Sequence, residues 1–161
     1  MQWFPKLILL ICATCLSVAC STNKKSEVAQ SNPCEQLLSF NTDDANVKIK
    51  TAVIVPAGPV PPVMYQRPYA GNLSSYCRID GVIDERIGEG GKPYGIGFAI
   101  AMPENWNGRF MMQGGGGLNG SVATPLGSNA AGDMTALQRG FAVVTTDTGH
   151  QGSHGFDASF F

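Results

Sequence analysis

Arg109-Phe110-Met111-Met112-Gln113-Gly114-Gly115-Gly116-Gly117-Leu118-Asn119-Gly120 is the stretch on which the fold turns. Arg109–Gln113 (RFMMQ) has the apolar character of a short strand, and four consecutive glycines end it. Beyond them, Asp133–Arg139 (DMTALQR) reads as a short helix with Asp133 as N-cap and Gly140 at the C′ position. Phe141–Asp147 (FAVVTTD) follows as a buried strand, its Phe and Val pair favouring β structure. Strand, loop, helical segment, strand is the order of a crossover between two parallel strands, right-handed by default.

Upstream, Val47–Val55 (VKIKTAVIV) alternates and then turns apolar, as a strand does, and Pro56–Pro62 (PAGPVPP) ends it in a loop. Tyr76–Asp84 (YCRIDGVID) alternates as a half-buried strand with Gly81 as a candidate bulge. Arg86–Gly95 is a glycine-rich turn region. Ile96–Met102 (IGFAIAM) is a strand stopped by Pro103, and Pro103–Gly108 (PENWNG) reads as a hairpin-type turn. Antiparallel strands at one edge, then the first parallel crossover, give the expected class: α/β, the opening of such a sheet. Thr148–Phe161 is irregular, and no internal repeat is visible.

Composition narrows the function classes. The chain has 161 residues, room for one domain, and a formal net charge of -1 with 14% charged residues. No basic stripe exists to neutralise phosphates, which argues against nucleic acid as a partner. With 43% hydrophobic residues the chain can build a core, which argues against general disorder.

The N-terminus reads as an export signal. Met1–Ala19 carries Lys6, the apolar run Leu7–Ile11, and small residues at Ser17 and Ala19. Cys20 follows Ser17-Val18-Ala19 and resembles a bacterial lipobox, in which the cysteine is lipidated and becomes the new N-terminus. Simple cleavage after Ala19 and an uncleaved anchor are the alternatives. Residues 20–33 are then an anchor and linker segment, and residues 34–161 the folded part. The expected location is an outer-membrane lipoprotein, held by its lipid, or a periplasmic or secreted protein. In that oxidising setting Cys34 and Cys77 are expected to pair, since Cys12 and Cys15 fall in the signal. Closing that loop would stabilise the fold by roughly 3–4 kcal/mol in the chain-entropy model. Two buried free thiols are the alternative.

Three readings of the glycine run stay open. Backbone N–H groups without an intervening Cβ suit an oxyanion loop, of the kind found after a strand in α/β-hydrolases. Gly115–Gly120 formally matches G-x-G-x-x-G, but Pro125, Gly127 and Gly132 oppose the helix that a dinucleotide loop requires. A glycine-rich turn without chemistry is the third. His150 and His154, with Asp147 and Asp157, could form a loop metal set, although Gly149, Gly152 and Gly155 oppose a helix there. Asp147 sits where a parallel strand ends, so Asp147 and His150 are candidates for supporting a site. No G-x-S-x-G occurs, so no serine triad can be assigned.

Four stretches together resemble one family. They are Cys77–Ile83 (CRIDGVI), the run from Tyr94 through Trp106-Asn107-Gly108-Arg109-Phe110, Gln113–Gly120 (QGGGGLNG), and Thr146-Asp147-Thr148-Gly149-His150. Their order and wording resemble the N-terminal portion of the tannase and feruloyl esterase family, over about Cys34 to Phe161. The resemblance implies the N-terminal part of an α/β-hydrolase core with an incomplete sheet. It implies an exported serine carboxylic-ester hydrolase acting on esters of aromatic acids such as gallate or ferulate. It also implies a disulfide like Cys34–Cys77. One oxyanion donor would be the backbone N–H of Gly117, with Gly116 as the alternate. The family's catalytic Ser, in a C-S-x-G-G motif, and its Asp and His are expected downstream of Phe161. So is the lid, which carries calcium in many members; no cofactor is expected in this part. On that reading the 161 residues are a fragment without activity of their own. A non-enzymatic surface lipoprotein or binding module is the alternative.

Overall fold

The computed structural model describes residues 32–42, 45–63, 68–116, 119–128 and 132–151. The signal, Cys20, most of the linker, Gly117, His154 and Asp157 lie outside the described residues. The description below concerns the unit Ser31–Phe161.

A short helix, α1 (Pro33–Gln36), opens it. Asn32 caps the helix by accepting from Glu35 N at 2.9 Å, and Pro33 fills the first turn, where no N–H is needed. A 3₁₀ turn, Leu37–Ser39, follows. The strands are β1 (Val47–Val55), β2 (Gly58–Pro59), β3 (Asn72–Leu73), β4 (Tyr76–Ile87), β5 (Pro93–Pro103), β6 (Phe110–Gln113) and β7 (Ala142–Thr146). Five of them form one sheet in the order β1-β4-β5-β7-β6, while β2 and β3 pair separately. The pairs β1/β4, β4/β5 and β5/β7 are antiparallel, and β6/β7 is parallel. The expected mixed sheet with a crossover from Arg109–Gln113 to Phe141–Asp147 is therefore present.

Side chains alternate across the sheet and build a core on each face. On one face Tyr76, Ala101 and Val143 pack with Leu73, Leu126, Ala136 and Leu137. On the other Cys77, Ile79 and Phe98 pack with Cys34 and Ala52. The Cys34–Cys77 disulfide, with Cα atoms 5.6 Å apart, pins α1 to the second core as expected.

Three expectations change in detail. The register shifts avoid Gly81: one lies on β1, where Ile49 pairs with Gly81 and Thr51 with Asp80, leaving Lys50 as the extra residue, and one lies further along β4, between Ile83 and Arg86 against β5. Gly81 instead makes room for a ring. A Cβ there would stand 2.4 Å from Phe98 and 2.7 Å from the Lys48 carbonyl. Pro103–Gly108 turns the chain but makes no hairpin, because β7 lies between β5 and β6. The turn is tied to the start of β7: Asn107 N donates to Gly140 O at 2.9 Å and Asn107 Nδ2 to Arg139 O at 2.7 Å.

The helix expected at Asp133–Arg139 is a single capped turn. Thr135, not Asp133, caps it: Gln138 N donates to Thr135 Oγ1 at 3.1 Å, and Thr135 N donates to Gln138 Oε1 at 2.8 Å. Gly140, at φ +80°, ends it as read, with Phe141 N bonded to Ala136 O and Gly140 N to Leu137 O. Ala136 N and Leu137 N donate to Gly127 O and Leu126 O. The turn's first amides are thus satisfied from outside, by a neighbouring segment.

Candidate active site

The register of the parallel pair sets the site. Gln113 stands beside Thr145, so the segments that follow β6 and β7 leave the sheet side by side. They are the glycine run and Thr146–His150. The C-terminal ends of parallel strands are where ligands bind in α/β sheets.

Gly114, Gly115 and Gly116 are exposed. Among the described residues, a Cβ on Gly114 or Gly116 would meet nothing within 4 Å, so the packing described does not demand glycine at either position. Gly115 differs, because a Cβ there would fall 2.2 Å from Asn119 Oδ1. Asn119 lies at φ +48°, donates its backbone N–H to Gly116 O at 3.0 Å, and donates Nδ2 to Thr146 O at 3.0 Å. The loop is thereby stitched to the end of β7.

Gln113, the last residue of β6, anchors the other side. Its buried carboxamide accepts from Gly127 N at 2.7 Å and Ser128 N at 3.3 Å, and donates to Thr124 O at 3.2 Å. Tyr69 adds a bond from its hydroxyl to Ser128 O. Neither Gln113 nor Asn119 emerges from the sequence as a site residue. The one local sign is a polar amide at each end of the glycine run.

Asp147 and His150 do come to this edge. Asp147 is 2% exposed. Its Oδ1 accepts from Gly97 N at 2.9 Å and Gly149 N at 2.8 Å, and its Oδ2 from Gln151 Nε2 at 3.3 Å. Asp147 N returns a bond to Gly97 O at 3.1 Å. A Cβ at Gly97 would stand 2.6 Å from Asp147 Oδ2, so glycine there is required by the carboxylate. These bonds clamp β5 to β7 just below the loop and round the chain into the Asp147–His150 turn, in which His150 N donates to Asp147 O at 3.2 Å. Thr148 at φ +58° and Gly149 at φ +84° make that turn. His150 is buried. What the arrangement offers chemically is exposed backbone at Gly114–Gly116 beside an edge held by the Asp147 bonds. Among the described residues no cluster of three or more His, Cys, Asp or Glu could hold a metal ion.

Resolved pKa shifts lie away from this edge. Burial pushes the Tyr76 hydroxyl up against the opposing pull of the Arg78 guanidinium. The hydrogen-bonded pair Arg78–Asp80 raises Arg78, with Nη2 to Oδ1 at 2.9 Å.

The chain has known relatives. The family described as "Tannase and feruloyl esterase" matches residues 77–161, more than half of the sequence. A mono(2-hydroxyethyl) terephthalate hydrolase of Piscinibacter sakaiensis is 46% identical over 82 residues, 50% of this chain and 14% of that protein. A probable feruloyl esterase B-1 of Aspergillus fumigatus is 30% identical over 118 residues, 68% of this chain and 20% of its own. The chain thus spans between about a seventh and a fifth of the length of these curated relatives. The crystal structure of feruloyl esterase B from Aspergillus oryzae superposes with a TM-score of 0.55 at 28% identity, covering 80% of this chain and 23% of that one. A second Aspergillus oryzae esterase, at 22% identity and TM-score 0.50, shares the fold. The five-stranded mixed sheet is that of an α/β-hydrolase-type core. On the sequence match and the shared sheet together, the chain belongs to the tannase and feruloyl esterase family.

Proposed function

We propose that this chain supplies the oxyanion-loop side of the active site of a carboxylic-ester hydrolase acting on esters of aromatic acids. The observation that carries the reading is the exposed glycine run at the C-terminal end of β6, where nothing among the described residues would meet a Cβ on Gly114 or Gly116. In acyl transfer a nucleophile adds to the ester carbonyl and negative charge develops on its oxygen. A backbone N–H aimed at that oxygen is worth about 2.7–4 kcal/mol in the transition state. Gly117 is the assigned donor, with Gly116 as the alternate. Asp147 and His150 support the edge rather than react, since the Asp147 carboxylate is engaged by Gly97, Gly149 and Gln151.

The nucleophile is a serine that these 161 residues do not present in an elbow, since no G-x-S-x-G or C-S-x-G-G occurs among them. It and its His and Asp partners belong to polypeptide beyond this sequence. The lid, and any calcium it holds, belong there too. Export fits the Met1–Ala19 signal and the Cys34–Cys77 disulfide, with Cys20 as the lipid attachment point. The test is hydrolysis of methyl gallate and methyl ferulate by the purified 161-residue chain. No turnover above the blank is expected, and turnover would overturn this division of the site. Coding sequence for C-S-x-G-G within some tens of codons after Phe161 would support it.

A further inference from the structure

We infer that Asn119 is a positioning residue: its carboxamide fixes the glycine run against the end of β7, and Gly115 is glycine because that carboxamide occupies the space of its side chain. Three contacts converge. Asn119 Nδ2 holds Thr146 O at 3.0 Å, the last residue of β7. Asn119 N holds Gly116 O at 3.0 Å, closing the loop on itself. Asn119 Oδ1 lies 2.2 Å from where a Gly115 Cβ would be, so the carboxamide is seated on the loop backbone. The left-handed conformation at φ +48° is one that Asn tolerates better than most residues, so one residue type meets both the backbone and the side-chain demand. A run of glycines has the largest backbone freedom to lose, and an unheld loop would spread its amides over many directions. The carboxamide removes that freedom before any substrate arrives, which is what a preorganised donor needs.

The inference rests on the esterase reading only for the purpose the loop serves. Its test needs no catalysis, so turnover by the purified chain would overturn that reading and leave this one standing. The readout is the amide spectrum of the ¹⁵N-labelled chain. Asn119→Gly keeps the left-handed backbone and deletes only the carboxamide; Asn119→Ala deletes it and strains the backbone as well. Both are expected to shift the Gly114–Gly116 resonances and to speed exchange of the amide at position 119 about tenfold, the worth of one lost hydrogen bond. Resonances of β1 and β4 should stay in place. Gly115→Ala should displace the carboxamide and reproduce the same loop shifts, and it should add nothing once Asn119→Gly is present. Unchanged loop resonances in Asn119→Gly overturn the inference. So do shifts spread evenly over the sheet, which would make Asn119 a general stability residue, and so does a silent Gly115→Ala.

Discussion

Asp147→Ala tests whether the carboxylate at the site edge is a clamp. The substitution strands two backbone donors. Gly97 N loses an acceptor at 2.9 Å in a buried position, and Gly149 N loses one at 2.8 Å in a partly buried one. A buried donor left without an acceptor costs about 1–3 kcal/mol. Gly97 belongs at the upper end and Gly149 at the lower, and a 2% exposed side chain leaves a void as well. The expected loss is about 3–5 kcal/mol, a large share of the 5–15 kcal/mol typical of a whole domain. Asp147→Asn keeps an oxygen for both donors and gives up only the longer contact to Gln151 at 3.3 Å, so about 1 kcal/mol is expected. Urea unfolding with the slope held constant measures both, and amide exchange at Gly97 and Gly149 locates the loss. An Asp147→Ala chain within about 1 kcal/mol of the parent would refute the clamp. Equal losses for Ala and Asn would show that charge rather than the acceptor geometry matters.

Two further outcomes follow from contacts outside the site. Replacing Cys34 and Cys77 by serine releases a crosslink of sequence separation 43, worth about 4 kcal/mol in the chain-entropy model, and calorimetry of the oxidised and serine forms should show the drop in Tm. Glu85 is held below the usual carboxylate range by hydrogen bonds from Lys50 at 3.0 Å and Lys48 at 3.1 Å. Its folded pKa is thus the lower one. Its stabilisation is present above the unfolded pKa and is lost as pH falls through the folded value. Glu85→Gln should flatten the acid limb of the stability profile at low salt, and the difference should vanish in about 1 M salt, where exposed pairs are screened.

The strands were legible because their signal is local. Alternation in Val47–Val55 reproduces β1 residue for residue. The ends of β4 and β5 were not, because pairing carries them on to Arg86–Tyr94 and Ile87–Pro93, past the point where alternation stops. Pro103 and Gly108 mark a turn, but no local pattern says which strand the next segment will pair with, and a hairpin is the default when the true partner lies more than thirty residues ahead. The shortness of the turn at Thr135–Gly140 has a similar cause: its first amides go to Leu126 O and Gly127 O, and the local sequence carries no sign of that. In the site, composition alone exposes the glycine run. Gln113 and Asn119 stay hidden because their partners are main-chain atoms of Thr124, Gly127, Ser128 and Thr146, which carry no sequence signature. Asp147 stands at the end of a buried strand, a position the sequence shows, whereas its clamping bond depends on Gly97, fifty residues away.

The most distinctive words in the sequence mark the end of the sheet away from the candidate site. Trp106-Asn107-Gly108-Arg109-Phe110 sits at the N-terminal ends of β6 and β7, and the glycine run at their C-terminal ends. Its polar groups serve that joint: Trp106 Nε1 donates to Arg109 O at 2.8 Å, Arg109 N to Asn107 Oδ1 at 2.9 Å, and Ala142 N to Arg109 O at 3.0 Å. Gly140 is glycine because a Cβ would stand 2.8 Å from Asn105 O. Likeness in this motif therefore reports that β6 and β7 are joined in the same way, and likeness in the glycine run reports on the proposed site. Asn107→Ala separates the two. It removes the Arg139 and Arg109 bonds, two exposed contacts worth about 1–2 kcal/mol together, and should lower stability by that amount. The Gly114–Gly116 amide resonances should not move. A shift there as large as that from Asn119→Gly would mean that the joint sets the loop through the length of β6, and the division of the sheet into a structural end and a chemical end would be wrong.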